Sequence, residues 1–102
     1  MNALPTIVEI EAVGVRFFSH GDESAFFEWL DKLPFVERYE GRGRTLYISI
    51  NSLNVDEHGL REMLALFHRY GVGMRQLVMF DRDEFADWFR NEQAYWYKDV
   101  FG

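Results

Sequence analysis

The chain has no cysteine. Disulfides, thiolate catalysis and cysteine-held zinc or iron–sulfur centres are therefore excluded. It also lacks any apolar run near the roughly 18–20 residues that a membrane helix needs. Met1-Asn2-Ala3-Leu4-Pro5 has neither the basic nor the apolar region of a signal peptide. A cytoplasmic protein without membrane contact is expected. Basic charge is short as well: 11 Lys and Arg stand against 17 Asp and Glu, a net charge of −6. A surface built to neutralise phosphates needs the opposite balance, so nucleic acid is set aside as a partner. His20, His58 and His68 form no pair at i, i+4, and neither H-E-x-x-H nor H-x-E occurs. No metal site and no cofactor is expected. Gly41-Arg42-Gly43 is not followed by Lys-Ser/Thr, and the residues around it read as a hairpin rather than a phosphate-cradling loop.

What remains is material for one core. At 102 residues, with 48% hydrophobic and 18% aromatic side chains, residues 1–102 read as a single domain. Thr6 to Phe18 reads as a long strand: Val8, Ile10 and Ala12 share one face, and Val13, Val15 and Phe17 the other, with a bulge or sharp bend at Gly14. A helix from Glu23 to Leu33 carries Phe26, Phe27, Leu30 and Leu33 at helical spacing, and Pro34 ends it. Phe35–Glu40 and Arg44–Asn51 read as a hairpin around Gly41-Arg42-Gly43. A second helix, Asp56 to Tyr70, has Leu60, Met63, Leu64 and Phe67 as its inner stripe and Gly71 as its stop. Met74–Phe80 reads as a short central strand, and a third helix begins after Asp81 with Phe85, Trp88, Phe89 and Trp96 turned inward. The order β-α-β-β-α-β predicts an α+β fold with a four-stranded antiparallel, ferredoxin-like sheet plus a C-terminal helix. Such sheets serve as RNA platforms in other chains. Here Arg42-Gly43 is followed by Arg44-Thr45-Leu46-Tyr47-Ile48-Ser49, so Arg44, Thr45 and Leu46 stand where small or aromatic residues belong, and the motif fails.

Acids gather where each helix starts: Asp22 and Glu23, Asp56 and Glu57, then Asp81, Asp83 and Glu84. Exposed N–H groups and the positive dipole end attract carboxylates there, so capping explains them more simply than a metal or a catalytic pair. The C-terminal segment is less ordinary, with seven aromatics between Phe85 and Phe101. One helix face cannot bury Trp96 together with Tyr95 and Tyr97, which point about 100° to either side of it. Tyrosine and tryptophan are enriched at protein interfaces. Tyr95 and Tyr97, with Asp83 and Asp87 beside them in sequence, are therefore the candidate partner-binding residues; no catalytic residue is assigned.

The run Trp88-Phe89-Arg90-Asn91-Glu92-Gln93-Ala94-Tyr95-Trp96-Tyr97-Lys98-Asp99-Val100-Phe101-Gly102 resembles the C-termini of small immunity proteins of bacterial polymorphic-toxin systems. That resemblance implies a non-catalytic protein that binds and neutralises a cognate toxin, here a basic toxin domain meeting an acidic face. The alternative is a ferredoxin-like small-molecule-binding or enzymatic domain acting as a homodimer. His20 and Tyr47 would be its polar contacts, in a pocket between sheet and helices.

Overall fold

Alternating burial sets the first strand. The computed structural model describes residues 6–102, so the Met1–Pro5 stretch read above for a leader lies outside it. In β1, Ile7–Val13, the side chains of Val8, Ile10 and Ala12 are buried and those between them exposed. The strand stops at Gly14, whose φ of +62° turns the chain away. Residues 15–18 are loop rather than strand, so the phase switch in the sequence marks a strand end.

Ser19 caps α1, His20–Lys32, by accepting the Asp22 N–H, while the Asp22 carboxylate accepts the Phe18 N–H at 3.0 Å. This reciprocal arrangement satisfies two amide donors at the helix start. β2, Val36–Arg42, and β3, Thr45–Asn51, meet at a two-residue turn, Gly43-Arg44, with φ of +61° at Gly43. Glycine first and a negative φ second is the reversal that matches strand twist. A register shift between Val36 and Arg38 leaves Glu37 as the extra residue of a bulge. Asp56 caps α2, Glu57–Tyr70, by accepting the Gly59 N–H at 2.7 Å, and Gly71 ends it. Leu60, Met63, Leu64 and Phe67 form the expected inner stripe and are all buried. Each such side chain contributes about 1.5–3 kcal/mol by leaving water.

Among the described residues the sheet has three strands, all antiparallel, in the order β1-β3-β2. The expectation of a four-stranded, ferredoxin-like sheet is thereby corrected. Met74–Phe80 is a 3-10 helix, with Met74, Leu77 and Phe80 as its buried side. Their spacing of three matches a helix of three residues per turn better than the two-residue period of a strand. Where a fourth strand would have paired, the Gln76 side chain bonds the β1 edge instead. Its Oε1 accepts the Glu11 N–H and its Nε2 donates to the Glu11 carbonyl, both at 2.8 Å.

The single long C-terminal helix is also corrected. The segment breaks into a 3-10 turn at Asp83–Phe85, a short α3 at Ala86–Phe89, turns, and α4 at Tyr97–Phe101. These pieces pack on α2 and the 74–80 helix. The sheet face away from α1 and α2 is exposed along β1, with Val13 at 60%. The buried residues form one connected core, with Phe26, Phe35, Phe67, Phe80 and Phe89 among its largest members.

Candidate recognition surface

The break after Phe89 decides which aromatics reach the surface. Asn91 accepts the Gln93 N–H on its side chain at 2.9 Å, a local bond that stabilises a turn at the expense of helix. Trp96 then folds back and donates its indole N–H to the Phe89 carbonyl at 2.8 Å, inside the core. Trp96 is thus buried as expected, but by closing a loop and not by lying on one helical stripe with Phe85 and Phe89.

Closing that loop pushes Tyr95 outward. It is 51% exposed, yet its ring is held edge-on against His68 of α2 at 4.9 Å and against Trp96 at 5.0 Å. Partial burial raises the pKa of its hydroxyl; Arg61 opposes that shift and Glu62 adds to it. The hydroxyl therefore stays a neutral donor and acceptor through the physiological range. Beside Tyr95 runs a shallow groove of about 610 Å³ lined by Trp29, Ala65, His68 and Arg69. The Trp29 indole donates to Glu62 at 3.1 Å and so ties α1 to α2. Arg61 stacks its guanidinium 4.1 Å above the Trp88 ring. The surface is aromatic with mixed charge: Glu62 lies among Arg61, His68 and Arg69.

The four residues singled out in the sequence do not form one patch around Tyr95. Asp83 and Tyr97 both act on Arg90, whose pKa is raised first by its hydrogen bonds to Asp81 and also by these two groups. Tyr97 is half-buried against Phe101, with ring centres 5.3 Å apart. Asp87 is exposed on α3 next to Trp88. Asp81 was expected to cap the third helix. Instead both its oxygens accept from Arg90, at 2.7 Å each.

The alternative polar pair is not brought together either. His20 is exposed at the start of α1. Tyr47 lies opposite Glu11 on the far face of the sheet, with Arg42 4.1 Å above its ring. Among the described residues no three His, Asp or Glu side chains converge as a metal ion would need, and no described helix is long and apolar enough to cross a membrane. Trp29, Glu62 and His68 were missed as surface partners of Tyr95. Trp29 lies off the inner stripe of its helix, which was the available signal; the approach of His68 to Tyr95 depends on the C-terminal loop. No protein-family profile matches the chain, and no match was found among curated proteins or solved structures.

Proposed function

We propose that this protein acts by binding another protein, with Tyr95 at the centre of the contact, and carries out no chemistry of its own. The observation behind this reading is the state of Tyr95: half exposed, yet fixed by two edge-on ring contacts. An aromatic side chain already immobilised loses little rotamer entropy on binding, which is the property of an interface anchor. The groove along Trp29 and Ala65 gives a partner side chain a place to bury apolar surface. The net charge of −6, with Asp83 and Asp87 exposed, favours a basic partner by long-range attraction. The resemblance of residues 88–102 to immunity proteins supplies the finer form of the proposal, a cytoplasmic protein that blocks a basic toxin domain.

The test is binding kinetics against the product of the neighbouring reading frame, with thermal melts in parallel. Tyr95→Ala is expected to weaken the complex by about 2 kcal/mol or more while the melting temperature moves little. Charge reversal at Asp83 and Asp87 should slow association, and the effect should shrink in high salt. Unchanged affinity in Tyr95→Ala would overturn the placement of the contact. Absence of any complex would overturn the toxin-blocking form.

A further inference from the structure

The helix-covered face of the sheet is left incompletely filled at its hairpin end. One rung across the three strands consists of Ala12, Leu46 and Gly41, so two of its three positions carry a methyl group or nothing. Above this floor α1 brings Phe26 and Phe27, and the loop after β1 brings Phe17, whose ring lies 5.4 Å from Phe26 and 6.2 Å from Phe27. Between them is a shallow, open pocket of about 360 Å³, within the usual volume range for small-molecule sites. Gly41 is the telling position. A Cβ built there meets nothing within 4 Å, and its φ is not positive, so neither crowding nor backbone strain requires glycine. Glycine inside a strand weakens it. What its absent side chain provides is the space of the pocket.

The charge around that space is opposite to that of the molecule. No Asp or Glu lines it, although the chain has 17. Arg16 and Arg44 do line it. Arg44 Nη2 comes 3.2 Å from the position a Gly14 Cβ would take, and Arg16 rests 5.7 Å from the Phe18 ring. Among the described residues neither has a carboxylate partner. Exposed guanidinium groups at the mouth of an apolar pocket keep their hydration until an anion arrives, and their planar forks match a carboxylate.

We propose that this pocket binds a small amphipathic carboxylate. Its apolar body lies over Gly41 between Phe17, Phe26 and Phe27, and its charge sits with Arg16 and Arg44. The site is independent of the Tyr95 surface, so either assignment stands if the other fails.

The test is calorimetric titration at low salt with phenylbutyrate and with its neutral counterpart phenylbutanol. Phenylbutyrate is expected to bind with a Kd of about 1 mM or tighter, the range for a ligand of that size, and about tenfold tighter than the alcohol. Arg16→Gln with Arg44→Gln should bring the acid to the level of the alcohol. Gly41→Val places a branched side chain in the open space, in a residue type strands favour. It should abolish binding of both probes without lowering the melting temperature. Equal affinity for acid and alcohol, no heat with the acid at about 10 mM, or wild-type binding by Gly41→Val would each overturn the proposal. The two arginines are exposed, so their double variant keeps the fold and decides the question even if the Gly41 variant does not fold.

Discussion

Two glycines show how differently the same residue type is used. Gly41 faces empty space, but Gly59, in the first turn of α2, is closed in on the core side. A Cβ there would stand 2.5 Å from Phe35 Cε2 and 3.1 Å from Phe35 Cδ2, and Phe35 is fully buried in the packed core. Alanine improves helix propensity by about 1 kcal/mol over glycine. Overpacking a filled core costs about 1–3 kcal/mol, so the clash should win. Gly59→Ala is expected to lower the urea midpoint; a midpoint equal to or above wild type would mean that Phe35 has room to shift. Gln76 is the other residue whose role is purely tertiary. One side-chain amide supplies to β1 the donor and acceptor that a neighbouring strand would have supplied, and so shields an otherwise free edge from other chains.

At the scale of elements, the pieces after residue 73 show where local pattern misleads. Met74-Arg75-Gln76-Leu77-Val78-Met79-Phe80 is apolar enough for a buried strand, and short apolar runs of this kind do not distinguish strand from helix. The spacing of Met74, Leu77 and Phe80 decides in favour of a 3-10 helix once α2 and α4 are there to receive that side. Arg82 then fastens this region to the β3–α2 connection, donating to the Ser52 carbonyl at 3.2 Å and the Val55 carbonyl at 2.8 Å. Its Nε lies 3.1 Å from Glu84 Oε1 but makes no hydrogen bond, so that contact is an ion pair without good donor alignment. Asp81 is a clamp and not a cap. Asp81→Ala and Arg90→Ala are each expected to lower the melting temperature, and the double variant should lose no more than the larger single loss. Additive losses in this cycle would show that Asp81 stabilises the segment by some route other than Arg90.

The whole molecule has a predictable alkaline limit. The pKa of Tyr39 is raised, first by the hydrogen bond its hydroxyl donates to Asp31 at 2.7 Å and then by burial. Burial is the leading cause for Tyr70 and Tyr95, whose pKa values are raised too. In each case the folded state holds its proton more tightly than the unfolded chain. That stability is fully present below the unfolded tyrosine pKa of about 10 and is lost as pH rises through the raised values. Thermal melts from about pH 8 to about pH 11.5 should therefore show stability falling only at the alkaline end. Tyr39→Phe should be less stable than wild type at neutral pH and lose less on going alkaline. An identical pH profile in that variant would show that the Tyr39–Asp31 bond is not part of the effect.

The sequence by itself determined the elements whose signals are local. α1 and α2 follow from apolar residues at helical spacing, with Asp56 and Gly71 at the two ends of α2. The β2–β3 hairpin follows from its glycines, although Gly41 and Arg42 extend β2 and the turn falls at Gly43-Arg44 instead of residues 41–43; the absence of thiol chemistry and the acidic charge follow from composition. Tertiary structure decided the rest, because it turned on groups distant in sequence. The fourth strand is missing because residues 74–80 bury a three-residue period against α2 and α4, while Gln76 reaches 65 residues back to Glu11. Tyr95 is exposed and Tyr97 half-buried because Trp96 closes on the Phe89 carbonyl and His68 receives the ring that is pushed out. The pocket beside Arg16 and Arg44 exists because strand pairing sets Ala12 and Gly41 on one rung beneath three phenylalanines. Spacing along a chain encodes a helix or a turn within a few residues. Which edge stays open and which ring faces water depends on surfaces that exist only once the elements have packed.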